Sequence, residues 1–238
     1  MIDRLVVALD VPSATAAIEM AGRLAGRAGL FKVGLELFCA AGPGVVPEIA
    51  DAGRVFLDLK LHDIPNTVAG AVRSLVPLAP AMLTVHAAGG PAMMRAASEA
   101  AGDAAARLGV APPRLVAVTV LTALDDEAFR QAGFTGTIGD TVLRLAHLAA
   151  GAGLDGVVAS AGETPALRRE MGPDFLIITP GIRPRGAAAG DQRRVFSPAA
   201  AVRAGASHLV VGRPVTGAPD PARAAQDILE EMAKANAG

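Results

Sequence analysis

The chain of 238 residues has no tryptophan, no tyrosine and a single cysteine. One thiol excludes an internal disulfide framework and any zinc site built from cysteines, which fits a reducing cytoplasm. Cys39 itself reads as a small core residue. Without Trp or Tyr there is no aromatic platform on which bases could stack. A formal net charge of −1 leaves no broad basic face for a phosphate backbone either, so nucleic acid is not an expected partner. Charge of both signs is scarce, 19% of residues against 52% hydrophobic, which is too apolar for a disordered chain. The apolar stretches are interrupted by charge and glycine too often for membrane spans. The opening MIDRLVVALDVP has a short apolar run ended by Asp10, which argues against a signal peptide. A compact cytoplasmic protein with no membrane partner is the expectation.

What is present is alternation. Eight short β-branched or Leu-rich runs recur: RLVVALD, LFKVG, RVFLDLK, MLTVHA, RLVAVTVLT, DGVVASA, DFLIITPGI and SHLVVGRP. Helical spacing follows them, as in Ala17, Ile18, Ala21, Leu24 and Ala25 behind a Ser13 N-cap, or Val68, Ala71, Val72 and Leu75 behind Pro65. Near-continuous apolar strands are buried on both faces, as in parallel sheets, and eight βα repeats close naturally into a (β/α)8 TIM barrel. Residues 1–238 then form one domain, with an open doubly wound sheet as the structural alternative. The alanine-rich Ala96–Ala106 reads as helix. The longest irregular stretch, Arg183 to Val195, is long enough in a compact barrel to suggest function.

Barrel enzymes work at the carboxyl ends of their strands, so position is the test. Asp10 ends strand 1, Lys32 lies in strand 2, Asp58 and Lys60 end strand 3, His86 ends strand 4 and Thr122 ends strand 5. Pro180, Gly181 and Arg183 follow strand 7; Gly212 and Arg213 follow strand 8. Side chains alternate along a strand, so Asp58 and Lys60 share the face toward the mouth while Leu57 and Leu59 take the other. An isolated Asp-x-Lys pair is often a structural salt bridge. With Lys32 alongside and Asp63 just beyond, an alternating array of two cations and two anions becomes possible, which is costly to desolvate unless it is used. Carboxylates at a barrel mouth also suggest Mg²⁺, but two lysines among them raise the positive charge before any ion arrives. No metal is expected. His62, His147 and His208 have no partner at ligand spacing and read as surface or satisfied core residues, while His86 could line the pocket without being a ligand.

Positive charge is concentrated in GIRPRGAAAGDQRR and VVGRP, after strands 7 and 8, where barrels commonly bind phosphate. Gly212 permits close backbone approach, and Arg183 and Arg213 supply forked donors. Gln192 could bridge a phosphate and another polar group.

ALD, FKVG, DLKLHDIPNT, TVHA, VTVLT, TPGIRP, DQRR and VVGRP, in that order over nearly the whole chain, resemble the signatures of bacterial orotidine 5′-monophosphate decarboxylases. The run from Asp58 to Thr67 is the most specific of them. Ala123 departs from the serine common after strand 5 in that family. The resemblance implies cofactor-free decarboxylation of orotidine 5′-monophosphate to uridine 5′-monophosphate, the last step of de novo pyrimidine synthesis. It implies that Lys60 protonates the substrate carbon, that Asp58 lies near the departing carboxylate, and that Lys32 and Asp63 complete the charged array. Asp10 and Thr67 would contact ribose, and Thr122 the pyrimidine edge. Pro180 would line the substrate site, and Arg183, Gln192, Gly212 and Arg213 would hold phosphate. It further implies a homodimer in which Asp63 and Thr67 serve the partner's site. Two alternatives stand beside it. One is a metal-dependent sugar-phosphate decarboxylase or aldolase on the same barrel, which would carry a glutamate where Lys32 stands. The other is a noncatalytic barrel that binds a nucleotide.

Overall fold

The computed structural model describes residues 1–184 and 195–236. Eight parallel strands, β1 (Leu5–Ala8), β2 (Leu30–Gly34), β3 (Arg54–Leu61), β4 (Met82–His86), β5 (Arg114–Val118), β6 (Gly156–Val158), β7 (Leu176–Thr179) and β8 (His208–Val211), pair in sequence order. Pairing of β8 with β1 closes the barrel, with Val6 beside Val210. The fold is the (β/α)8 barrel expected from the alternation, and closure removes the open-sheet alternative.

Strand alternation divides the core in two. Inward-facing Val6, Ala8, Leu30, Phe56, Met82, Val116, Ile178 and Val210 form a cluster of their own inside the barrel. Outward-facing Val7, Phe31, Val33, Leu57, Leu83, Leu115, Ile177 and Leu209 join the larger cluster beneath the helices. Phe56 is 1% exposed, and burying a ring of that size contributes about 1.5–3 kcal/mol. It also sets a firm apolar floor one inward position below Asp58.

The local signals act as their chemistry requires. The Ser13 side chain accepts a hydrogen bond from the Ala16 N–H at 3.3 Å and starts helix Ala14–Arg23. That helix ends at Arg23, so Leu24 is buried as its C-cap and Ala25 lies outside it and exposed. Pro65 opens helix Pro65–Leu75, where its missing N–H costs nothing. The alanine-rich run lies within helix Gly90–Leu108, whose Ala97, Ala100, Ala101, Ala104 and Ala105 are buried. Cys39 is a correction: it is exposed. Helix Leu35–Ala41 turns Leu37 inward, and two residues further on, about 200° around the axis, Cys39 faces out.

Among the described residues no helix is long and apolar enough to cross a membrane.

Candidate active site

The carboxyl ends of the strands surround a cleft of about 500 Å³. Strand β3 serves two environments at once. Leu57 and Leu59 are buried beneath the helices, while Asp58 and Lys60 line the cleft. Lys60 Nζ lies 2.8 Å from Asp58 Oδ2, and Lys32 Nζ, from β2, lies 3.6 Å from the same oxygen and 2.8 Å from Asp10 Oδ1. The side chains thus form a line, Asp10, Lys32, Asp58, Lys60, in which the sign alternates and the formal charges cancel. The side chains of Lys32 and Asp58 are 10% and 12% exposed. An isolated ion at that depth would cost several kcal/mol, and the opposite charges on either side offset the cost. Lys60, with its side chain 32% exposed, is the cation at the open end.

Gly34 makes room for this line. A Cβ there would sit 2.8 Å from Lys32 Nζ and 3.1 Å from Asp10 Oδ1, so any larger residue displaces the ion pair. Gly212 is a different case. A Cβ there would meet Asp10 Oδ2 at 3.9 Å, an ordinary contact, so its missing side chain leaves space in the cleft rather than serving the packing.

The backbone at Lys60 is unusual. Its φ is 51°, in the left-handed region that L-residues seldom occupy, at a cost of order 1–3 kcal/mol. The cause is a break in strand register: Leu57 pairs with Leu83 and Leu61 with Val85, four residues along β3 against two along β4. The Lys60 N–H donates to Thr84 Oγ1 at 2.8 Å, and the Thr84 hydroxyl donates to Asp58 Oδ1 at 3.2 Å. Thr84 is fully buried.

Across the cleft the wall is apolar, made by Val118, Val120, Leu121, Val158 and Ile178. Beyond it lie Pro180, Gly181, Arg183, Gly212 and Arg213. Arg183 is 8% exposed and its Nη1 donates to the Ile182 carbonyl at 2.9 Å. Burial, and secondarily the nearby Arg213, hold its pKa below the ordinary arginine value. An anion lying against both guanidiniums would relieve that repulsion. Ile182 forms a parallel bridge to Phe196, which ties together residues on either side of the 185–194 stretch. Gln192 lies outside the described residues.

Most of the expected rim residues meet in this one cleft: Asp10, Lys32, Asp58, Lys60, Thr122, Pro180, Arg183, Gly212 and Arg213. Several details differ. Thr122 does not end a strand: β5 stops at Val118, and the Thr119 N–H and hydroxyl are both spent on the Val158 carbonyl before the chain turns. Thr122 lines the cleft from the loop that follows. Asp63 does not join the array within its own chain. The backbone leaves the barrel after Leu61, and exposed Asp63 accepts from the Ile64 N–H at 2.6 Å; Asp10 is the second anion instead. Thr67 is exposed in the first turn of helix Pro65–Leu75. His86 does not line the cleft; its ring stacks on His62 with centroids 5.1 Å apart. Burial, then His62 and Lys60, lower its pKa to about 4, so it is neutral at physiological pH. His147 is exposed, and the buried Nδ1 of His208 has no hydrogen-bond partner, so His208 is not the satisfied core residue expected.

Three participants were not foreseen: Thr84, Gly34 and Glu36, which lines the rim. A signal for Thr84 was there. In MLTVH it holds an inward position between Met82 and His86, where a β-branched hydrocarbon would be ordinary. Among the described residues no group of three or more His, Cys, Asp or Glu could hold a metal ion.

The fold and cleft define a class: a (β/α)8-barrel enzyme whose charged array faces an arginine-lined pocket suited to a small anionic ligand. Comparison with known proteins narrows it. Residues 3–228 match the Orotidine 5′-phosphate decarboxylase / HUMPS family, and the chain belongs to that family. The orotidine 5′-phosphate decarboxylase of Moorella thermoacetica is 55% identical over 232 residues, which cover 97% of this chain and 92% of that protein. The enzyme of the same name from Rhodospirillum rubrum is 53% identical over 228 residues, 95% of this chain and 92% of that one. The crystal structure of orotidine 5′-phosphate decarboxylase from Lactobacillus acidophilus superposes with a TM-score of 0.84 at 37% identity, covering 96% of this chain and 98% of the other.

Proposed function

We propose that this chain is a single (β/α)8 decarboxylase domain, residues 1–238, that converts orotidine 5′-monophosphate to uridine 5′-monophosphate and carbon dioxide in the cytoplasm. The observation that carries the reading is the ion pair of Asp58 and Lys60 at the mouth, backed by Lys32 and faced by Arg183 and Arg213. A metal-dependent sugar-phosphate reaction is not favoured, because Lys32 is a cation where that chemistry needs a metal-binding carboxylate.

The reaction breaks the bond between C6 of the pyrimidine and its carboxylate. The electron pair stays on carbon, carbon dioxide departs, and a proton must reach C6. No cofactor serves as electron sink in this reading, so the developing negative charge has to be met by a fixed cation that is also an acid, and Lys60 is both. After giving its proton to C6, Lys60 is restored by one from solvent. Asp58 holds the Lys60 ammonium and lies against the substrate carboxylate, while Lys32 backs Asp58 within a neutral array. Phosphate bound by Arg183, Arg213, the Gly212 backbone and Gln192 supplies remote binding energy that offsets the crowding of like charges at the reacting end. Asp10 and Thr67 bind ribose hydroxyls, Thr122 the pyrimidine edge, and Pro180 and the apolar wall pack on the base.

In the functional protein, Asp63 and Thr67 serve the site of a second copy. Their exposure beside Ile64, which is 67% exposed, is consistent with a surface covered by that copy. Mixing inactive Lys60→Ala protein with inactive Asp63→Ala protein tests both the reaction and the dimer. Each mixed dimer would hold one site with both residues intact, so orotidine 5′-monophosphate turnover should return on mixing. A mixture that stays inactive, or a fully active monomer in gel filtration, would remove the shared site.

A further inference from the structure

We propose that Thr84 is a positioning residue for decarboxylation, its hydroxyl fixing at once the backbone that aims Lys60 and the carboxylate that holds it. This rests on the reading of Lys60 and Asp58 as the reacting pair. The directions of the two hydrogen bonds are forced by chemistry. A backbone N–H can only donate, so Thr84 Oγ1 accepts from Lys60 at 2.8 Å, and its one proton is left to donate to Asp58 Oδ1 at 3.2 Å. The other carboxylate oxygen, Oδ2, faces Lys60 Nζ at 2.8 Å and Lys32 Nζ at 3.6 Å. Both oxygens of Asp58 are therefore anchored, one by a neutral donor on β4 and one by two cations, and the carboxylate cannot rotate without losing a partner.

The same hydroxyl answers a problem made by the register break. Between Leu57 and Leu61, β3 carries two residues more than the β4 segment it faces, so Lys60 has no ladder partner for its N–H. A side-chain oxygen at an inward position of β4 supplies one. That bond holds Lys60 at φ 51°, and the bend brings its ammonium back onto Asp58, two residues earlier, instead of along the strand. Thr84 is fully buried, so water cannot replace the hydroxyl if it is removed. Catalysis that depends on a proton donor held against one carbon is sensitive to this, since a displacement of ~1 Å can cost about 10²-fold in rate.

The experiment compares Thr84→Val, which keeps the shape and loses the hydroxyl, with Thr84→Ser, which keeps the hydroxyl, and with Lys60→Ala. Thr84→Val is expected to lose about 10²-fold in kcat with KM and product affinity near wild type, since phosphate and ribose contacts lie elsewhere. Thr84→Ser is expected to recover most of the rate. A folded Thr84→Val with wild-type kcat, beside an inactive Lys60→Ala, would overturn the role of Thr84 and leave the catalytic pair standing. Equal losses in Thr84→Val and Thr84→Ser would also overturn it, because the hydroxyl would not be the cause. Turnover retained in Lys60→Ala would instead remove the catalytic reading on which the proposal rests. Should Thr84→Val not fold, Thr84→Ala carries the same expectation against the same serine control.

Discussion

Both ends of the barrel are rich in cations, and they are used in opposite ways. At the floor, where the strands begin, Arg168 donates to the carbonyls of Gly172, Pro173, Phe175 and Gly205 and to Ser207 Oγ, while Arg4 reaches the carbonyls of Ala206 and Ser207. These guanidiniums tie together chain segments that enter β7, β8 and β1. At the mouth, Lys60, Arg183 and Arg213 line an open cleft, and their charge is directed at a space that a ligand can fill. A count of positive residues does not separate the two ends. What separates them is whether the side chain serves the fold alone or also lines a cavity.

Exchanging the roles by mutation should give opposite phenotypes. Lys60→Ala is expected to reduce turnover by about 10³-fold or more, the upper range for loss of a proton donor, with little change in melting temperature. Assay and thermal melt on the same preparation would decide it; lost folding with intact specific activity would reverse the assignment. Arg168→Ala should do the converse. It leaves several floor carbonyls without donors, a loss of about 3 kcal/mol or ~6–12 °C in melting temperature, with kcat unchanged for the folded enzyme. Arg213→Ala should lower kcat/KM for orotidine 5′-monophosphate about 10–10²-fold while leaving the slow reaction of the phosphate-free nucleoside orotidine as it was. Equal losses on both substrates would mean that Arg213 does not read phosphate.

The smallest effect at neutral pH is expected at His208, which faces into the barrel floor. Burial, then Arg54 and Arg4, lower its pKa to about 4 against an ordinary 6.5, with Asp3 opposing. The folded state therefore keeps the ring neutral where the unfolded state takes up a proton. Stability should be flat above pH 6.5, fall as the pH drops through 6.5 toward 4, and level off below that. His208→Leu should flatten this acid dependence in denaturation curves taken across the range; an unchanged curve would assign the acid lability to other groups.

The architecture was readable because each strand is a short apolar run and several helices carry a start signal, Ser13 and Pro65 being the plainest. Asp58 and Lys60 were readable because alternation puts them on one face. Asp10 as the partner of Lys32 was not, since that ion pair depends on how β1 and β2 align, with Ala8 beside Lys32. Thr84 stood out as a hydroxyl at an inward position of its strand, but its bond to Lys60 was hidden by the register break in β3, which no residue pattern announces. Thr122 was misplaced because Val120 and Leu121 prolong an apolar β-like run beyond Val118, where these residues leave the sheet to form the cleft wall. Cys39 was misplaced because composition says where cysteines usually lie and not which way a seven-residue helix turns.

The most direct measurement is the ultraviolet absorbance of orotidine 5′-monophosphate mixed with purified protein in excess EDTA, with the product identified and Lys60→Ala run alongside. Conversion to uridine 5′-monophosphate that the chelator does not slow and the variant does not perform is the expected result. No conversion by folded protein, or conversion that EDTA abolishes, would contradict the assignment of the charged array at the mouth as a metal-free reaction centre.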